Sequence, residues 1–328
     1  MAVTLGFDAL QGVIDMPEVI SLLEQAFAHE AAGKTVVSPK FITDFGTGSM
    51  RILFAADHAA GYCATKAYHI VTGVGVRYIV TLYRLTDGEL LAVMDGRHIT
   101  DLRTGAVSGV IARKVPISGP VSIGVVGSGN QARTQLESLA SVYQVQSASV
   151  FSPTAANREA FARAMTAKLG IRVSAVTSAQ AAIEGHAVVA AATSARSKEP
   201  VVLGRWLSAC RLLCAVGNTR AQFAEADVQC FRDAQLVVMD TPHAAQEAGD
   251  LLQAHEQGAL PAERRATLGQ LMTGEVSVPP EGLVTFKSVG SALQDLTLAA
   301  RYYELLGAGA AFPVDPGLAS VRSSKGGS

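Results

Sequence analysis

Ser122–Ala132 reads SIGVVGSGNQA. An apolar run ends in Gly127-Ser128-Gly129-Asn130-Gln131-Ala132, which fits the pattern G-x-G-x-x-A. In such a loop the first glycine permits a tight turn and the second lets backbone N–H groups approach a pyrophosphate. The small third residue lets a helix pack on a strand. The helix that follows turns its N-terminus toward the anion. A lone match is weak, because glycine turns are common. Here the loop follows an apolar strand and opens a helical segment, QARTQLESLASVY. It also begins a series of strand and helix alternations, which favours a dinucleotide cradle over a bare turn.

Downstream, ASVFS, Ile171–Val176, AVVAAAT, RLLCAVG and AQLVVMD read as strands. ANREAFARAMTAKLG and Ser178–Gly185 read as helices between them. Continuous apolar strands alternating with helices predict a parallel sheet covered on both faces, an α/β Rossmann-type domain. Upstream, Met16–Ala32 has helical apolar spacing. Lys34–Asp95 alternates short β-rich runs (VVSPKFIT, RILFAAD, ATKAYHIV, VRYIVTLYRL, LLAVMD) with turns, and reads as an antiparallel meander. Thr100–Lys114 is predicted helical, PISGP at Pro116–Pro120 is a break, and Ser288–Leu306 is predicted to be a long amphipathic helix.

The chain has 328 residues, long enough for two domains, and 49% are hydrophobic against 17% charged. A net charge of −1 with scattered Lys and Arg gives no basic surface for nucleic acid or anionic membrane. The N-terminal stretch has early acids and no basic leader, and no apolar run approaches the ~20 residues that span a bilayer. Cys63, Cys210, Cys214 and Cys230 form no Cys-x-x-Cys pair. Free thiols in a reducing cytoplasm are therefore expected, with no metal site. The terminal SSKGGS, small and polar, reads as a tail outside the two domains' cores.

Cofactor preference is read at the end of the second strand of the unit, Phe151-Ser152-Pro153-Thr154. An NAD-selective site carries Asp or Glu there to bind the ribose hydroxyls. None is present, and Ser152, Thr154 and Arg158 could donate to a 2′-phosphate. NADP(H) is favoured and NAD(H) remains possible.

Further stretches line up in order: ATK at 64–66, LLAVMDGRHITDLRTGAVSGVIARK at 90–114, VVGSGNQARTQ, AAATSARSKEPVV at 190–202, LLCAVGN at 212–218 and TFKSVGSALQDL at 285–296. Over nearly the whole chain they resemble the ornithine cyclodeaminase/mu-crystallin family. The resemblance implies a Rossmann domain, here residues 118–300, inserted into a substrate-binding and dimerisation domain, here residues 1–117 plus 301–328. A homodimer follows as an expectation. In the family, the Arg matching Arg103 holds a substrate carboxylate, and the strand lysine matching Lys66 lies beside the substrate. A guanidinium gives two parallel charge-assisted bonds, and an ammonium can bind the carboxylate or donate a proton. Lys40, where many members have Arg after Pro, is a second carboxylate clamp by the same resemblance, and Val289 is a substrate neighbour. Thr104, Asn130, Gln131, Thr193, Gly217 and Ser288 join Gly127 and Gly129 as cofactor-binding positions.

One departure bears on the chemistry. Cyclodeaminases of the family carry an Asp two residues after the Gly of the AVG segment, and here that residue is Thr219. Threonine cannot act as a carboxylate base near neutral pH. Asp227 lies too far along to replace it. His69, His98 and His243 show no metal or catalytic spacing. The expected activity is NAD(P)H-dependent reduction of a small α-imino acid, of the Δ1-pyrroline-2-carboxylate or Δ1-piperideine-2-carboxylate type, to the L-amino acid. Cyclodeaminase, amino-acid dehydrogenase or hydroxyproline dehydratase activity stays open as an alternative. So does a non-catalytic, nucleotide-dependent binding protein. Phe41, Phe54, Tyr68 and Tyr78 are candidates for shaping the substrate pocket.

Overall fold

A computed structural model describes residues 2–194 and 199–307, which form two sheets. Seven strands make the first: β1 (Val3–Leu5), β2 (Thr35–Val37), β3 (Phe41–Asp44), β4 (Gly48–Asp57), β5 (Tyr62–Val71), β6 (Gly75–Arg84) and β7 (Leu90–Asp95). Their order is β1-β7-β6-β5-β4-β2, with β3 also on β4. Only the β1–β7 pair is parallel. The run VVSPKFIT, read as one strand, is two. Pro39 brings no N–H to a ladder, so backbone pairing with β4 ends at Ser38, whose N–H donates to the Phe54 carbonyl at 2.9 Å, and resumes at Phe41. In register, Arg51 lies opposite Tyr68 and Tyr68 opposite Tyr78, while Lys66 lies opposite Leu53 and Val80. Strand alternation therefore puts Arg51, Lys66, Tyr68 and Tyr78 on one face, and Ile52, Ala67 and Ile79 on the other.

The second sheet has eight strands, all parallel: β8 (Val121–Val126), β9 (Val145–Phe151), β10 (Arg172–Ala175), β11 (Val188–Ala191), β12 (Leu212–Ala215), β13 (Leu236–Met239), β14 (Arg265–Thr267) and β15 (Val284–Lys287). The order is β10-β9-β8-β11-β12-β15-β13-β14. Every residue of β11, β12, β13 and β15 is buried, as a sheet covered on both faces requires. The chain winds outward from β8 to β10, then crosses back to β11 on the other side of β8. The crevice beyond β8 and β11 is the topological switch point at which such sheets bind ligands, and the Gly127 loop opens there.

The helix Gly96–Lys114 starts four residues earlier than its apolar pattern predicts, because Asp95 caps it, accepting the Arg97 N–H at 2.8 Å. It lies against the helices Met16–Ala31 and Asn130–Val142 and so joins the two sheets. Close approach is enforced by Gly105, where a Cβ would sit 2.5 Å from the Thr134 carbonyl oxygen.

The last helix, Ala292–Leu306, begins after an irregular segment at Ser288–Ser291. It is not amphipathic over its first three turns: Leu293 to Leu296 and Leu298 to Ala300 are all buried. The reason is placement, since it runs between β4–β6 on one side and the helices Met16–Ala31 and Gly96–Lys114 on the other. A domain boundary at residue 300 would cut this helix, and the crossing from the parallel sheet falls at Ser288–Ser291 instead. Residues 308–328, assigned above to the same domain, lie outside the described residues.

Gly105→Ala tests the helix crossing. Alanine has the better helix propensity by about 1 kcal/mol, but the clash is with backbone and cannot be relieved by a rotamer. Urea unfolding is expected to show a net loss of about 1–3 kcal/mol; a gain would mean that the helices are not held at this distance.

Candidate active site

A cleft of about 1080 Å³ separates the meander from the parallel sheet. Its walls come from β5, β6, the helix Gly96–Lys114 and the loops that follow β8, β9, β11, β12 and β15. At its meander end two cationic side chains share one carboxylate oxygen. Lys66 Nζ donates to Asp295 Oδ1 at 2.8 Å and to Thr100 Oγ1 at 2.7 Å. Arg103 Nε donates to the same Oδ1 at 3.2 Å, and Arg103 Nη1 donates to Gln294 Oε1 at 2.9 Å. Asp295 Oδ2 is buried without a hydrogen-bond partner. The Lys66 ammonium also lies 5.0 Å from the centre of the Tyr78 ring and 5.8 Å from that of Tyr68. Burial pushes the Lys66 ammonium down to about 8, with Asp295 opposing the fall and Arg103 adding to it.

The segment Ser288–Gly290 is held beside Arg103 by Asp240. Its carboxylate accepts the Ser288 hydroxyl at 2.6 Å, the Val289 and Gly290 N–H groups at 3.1 and 2.8 Å, and the Gln294 amide at 2.9 Å. Gly290 has φ +77°, and a Cβ there would lie 2.5 Å from Arg103 Nη1. Only glycine lets the backbone pass this close to the guanidinium.

At the other end lies the glycine loop. Gly127 has φ +116°, and a Cβ on it would meet the Ala192 carbonyl oxygen at 2.4 Å. Gly129 faces open space and caps the helix Asn130–Val142 without any side-chain bond. The first N–H groups of that helix are thus left for an anion. The Gln131 Oε1 atom is buried without a partner, and the Asn130 and Gln131 amides donate to Asp101 at 3.3 and 2.9 Å. Burial pushes the Asp101 carboxyl up, against the pull of Arg97, Arg103 and Lys66. An uncapped helix terminus and a glycine that leaves the approach clear fit the pyrophosphate of a nicotinamide dinucleotide.

Most of the residues picked out above line this one cleft: Lys66, Arg103 and Val289 at one end, Thr104, Thr193, Gly217 and Ser288 between, and Gly127, Gly129, Asn130, Gln131, Ser152 and Thr154 at the other. Two do not. Lys40 is committed to Glu247 at 2.5 Å and to the Val289 carbonyl at 2.8 Å, so it ties the β2–β3 link to the Ser288–Gly290 segment and is not an open clamp. Arg158 turns back to the carbonyls of Ser152 and Pro153 at 3.1 and 3.3 Å and braces that turn. Thr219 does line the cleft, whereas Asp227 caps the helix Val228–Arg232. His98 packs between Phe7 and Tyr302, and none of His69, His98 and His243 reaches the cleft. Tyr68 and Tyr78 form part of its wall. Phe41 and Phe54 lie on the opposite face of the meander, Phe41 63% exposed.

The sequence reading missed Asp295, Asp240, Glu225 and Arg51. The first lies inside the quoted SALQDL stretch, but a carboxylate that is buried only because two distant cations converge on it has no local signature. Arg51 is buried on the Lys66 face of the sheet with its Nε unpartnered and Nη1 3.4 Å from the Tyr68 hydroxyl. Its one hint is strand alternation.

A doubly wound parallel sheet with a glycine loop at its switch point is a Rossmann-type, NAD-binding fold, here joined to a second domain that brings buried cations to the cleft. The chain belongs to the ornithine cyclodeaminase/mu-crystallin family, whose sequence profile matches residues 6–309. It is 30% identical to the alanine dehydrogenase of Archaeoglobus fulgidus over 307 residues, 90% of this chain and 92% of that protein. Against the ketimine reductase mu-crystallin of Mus musculus identity is 32% over 225 residues, 69% of this chain and 68% of that protein. The Thermococcus litoralis Δ1-pyrroline-2-carboxylate reductase, solved in complex with NADH and L-proline, superposes with a TM-score of 0.86 at 29% identity, covering 92% of this chain and 97% of the other.

Asp295→Asn leaves two cations facing each other without their shared carboxylate. The loss should be about 3–5 kcal/mol at pH 7, the magnitude of breaking a buried ion pair. The sign with pH follows from Lys66, whose folded value lies near 8, below its ordinary 10.5. A lysine lowered on folding costs stability while it is charged in the fold, and that cost fades as pH rises from about 8 toward the unfolded value. Removing Asp295 lowers Lys66 further, so urea unfolding should show a smaller deficit at pH 9 than at pH 7. An equal deficit at both would contradict the shared-carboxylate account.

Proposed function

We propose that this chain is an NAD(P)H-dependent reductase of small α-imino acids, Δ1-pyrroline-2-carboxylate and Δ1-piperideine-2-carboxylate being the substrate type. The observation that carries the proposal is the position of Lys66 and Arg103, bound to one carboxylate in the same cleft as an uncapped glycine-loop helix. The names of the ketimine and pyrroline-2-carboxylate reductases among its relatives support the same chemistry. Thr219 supports it too, since the cyclodeaminase reading needs a carboxylate where this cleft has a hydroxyl.

The loop Gly127–Ala132, Thr104, Thr193, Gly217 and Ser288 would hold the dinucleotide, which supplies a hydride donor when bound. The chain's own residues do the rest. Arg103 takes the substrate carboxylate, and its planar guanidinium fixes which face of the C=N carbon is presented. Lys66 carries a proton whose affinity, near 8, suits transfer to the imine nitrogen at neutral pH. With a hydride delivered to the carbon, the Lys66 proton would pass to the nitrogen and the product would be the amine. Asp295 keeps both cations in place, and the Tyr68 and Tyr78 rings cover the Lys66 ammonium. With no acid in Phe151–Thr154, NADPH is the preferred donor. The Arg158 geometry leaves that preference to Ser152, Thr154 and their neighbours.

Oxidation of NADPH by the purified protein should depend on the cyclic imino acid, run faster than with NADH, and stop without either partner. Efficiency, kcat/KM, should fall as pH rises through about 8, because Lys66 then loses its proton. Arg103→Ala should lose about a hundredfold or more in kcat/KM. Full efficiency in that variant would sink the assignment.

A homodimer belongs to the proposal. Phe41, Ile52 and Ile79 stand in one register row on the meander face away from Lys66, 63%, 39% and 52% exposed. An apolar row of this kind on a sheet face is suited to a second copy. Ile79→Lys should shift the mass measured by light scattering from dimer to monomer; an unchanged mass would mean that the copies meet elsewhere. The cytoplasm is the proposed location: all four cysteines are free, and among the described residues no helix is long and apolar enough to cross a membrane.

A further inference from the structure

Glu225 lies on the loop after β12, wholly buried, and takes no direct part in the chemistry described above. Its carboxylate is fully engaged by groups that line the cleft. Oε1 accepts the Thr193 backbone N–H at 2.7 Å and the Thr193 hydroxyl at 2.8 Å. Oε2 accepts the Gly217 N–H at 2.8 Å. Thr193 follows β11 and Gly217 follows β12, so one carboxylate joins the ends of two neighbouring strands where they meet the cleft. No side chain could intervene, because a Cβ on Gly217 would lie 2.2 Å from the Thr193 nitrogen and 2.3 Å from Glu225 Oε1.

Behind it stands a buried charge system. Lys287 Nζ, at the end of β15, donates to Asp250 Oδ2 at 2.9 Å, and that oxygen also receives the Glu225 backbone N–H at 3.4 Å. Both Lys287 and Asp250 are enclosed. Burial pushes the Glu225 carboxyl up, while Lys287 and the Thr193 and Gly217 donors pull it back toward the ionised form. A carboxylate is costly to bury, and a buried apolar residue would serve packing as well. What the carboxylate adds is a fixed distance between two loops, through three donors converging on two oxygens.

We propose that Glu225 is a positioning residue for the dinucleotide: it clasps the Thr193 and Gly217 loops at the separation the bound nucleotide requires. In a sheet of this topology the loops after β11 and β12 stand on the far side of the switch point from the adenosine-side turn at Phe151–Thr154. The clasp therefore serves the half of the cleft that faces Lys66 and Arg103. It rests on the dinucleotide-binding part of the function proposed above, not on the identity of the imino acid.

The test is calorimetric titration of NADPH and NADH into wild type, Glu225→Gln and Thr193→Val, with thermal unfolding of the nucleotide-free proteins alongside. In Glu225→Gln an amide NH2 replaces one acceptor and confronts an N–H donor. Dinucleotide affinity should weaken about 10- to 100-fold, as loss of one or two bonds to a charged acceptor implies. KM for the imino acid and kcat at saturating nucleotide should stay within about threefold. Thr193→Val removes only the hydroxyl bond and should weaken nucleotide by about three- to tenfold. Unchanged affinity in Glu225→Gln overturns the clasp. So does a Glu225→Gln protein that unfolds or loses every parameter together while Thr193→Val binds as wild type does. Should Glu225→Gln otherwise fail to fold, Glu225→Asp, which keeps the charge but falls short of the same three donors, takes its place: a selective loss of nucleotide affinity upholds the clasp and wild-type affinity overturns it. Wild type that binds nucleotide without reducing any imino acid would sink the reductase reading and leave the clasp standing.

Discussion

One oxygen of Asp295 receives both Lys66 and Arg103, and the arrangement of the cleft follows from that meeting. The lysine comes from a strand of the meander, the arginine from the helix that links the two sheets, and the aspartate from the last helix. Buried ions are tolerated only when paired, so the three elements must pack together for any of them to pack well. Two cations against one carboxylate leave an excess of positive charge in a region of low polarity, and Arg51 on the same sheet face adds to it. On the function proposed above, such a site attracts a small anion and holds it in a fixed orientation. A carboxylate beside a C=N bond is an anion of that kind.

The second requirement is that this charge face the hydride donor. The helix Gly96–Lys114 supplies the link. Its one end carries Thr100 and Arg103 into the cation cluster, Asp101 accepts the amides of Asn130 and Gln131, and Gly105 brings its axis onto Thr134 of the glycine-loop helix. Cluster and cradle are thus set by contacts on one rigid element. Asp240 performs the matching task for the return crossing, fixing Ser288–Gly290 against the arginine.

Much of this was legible in the sequence. Apolar runs of four to seven residues between helical segments identified the parallel sheet, because strands buried on both faces have no polar alternation to confuse them. The glycine loop was legible because its backbone demands are local: Gly127 requires its positive φ, and Gly129 clears the approach. Lys66 and Arg103 were visible through the family's motifs. The carboxylates were not. Asp295 acts on Lys66, Asp240 on Ser288 and Glu225 on Thr193, partners 229, 48 and 32 residues away, a relation that periodicity does not encode. Lys40 failed as a clamp for the same reason, since its partner Glu247 is 207 residues distant. The final helix read as amphipathic because its charges, Asp295 among them, look solvated until their partners are known.

Isotope transfer addresses the central claim most directly. NADPH deuterated at the transferable position is incubated with Δ1-piperideine-2-carboxylate, and the product amino acid is examined by mass spectrometry and NMR. Reduction in this cleft predicts one deuterium at the α-carbon, none lost to water, and one NADPH consumed per product. A product whose α-hydrogen comes from solvent, or one formed from a diamino acid with release of ammonia and no net consumption of NADPH, would contradict the account.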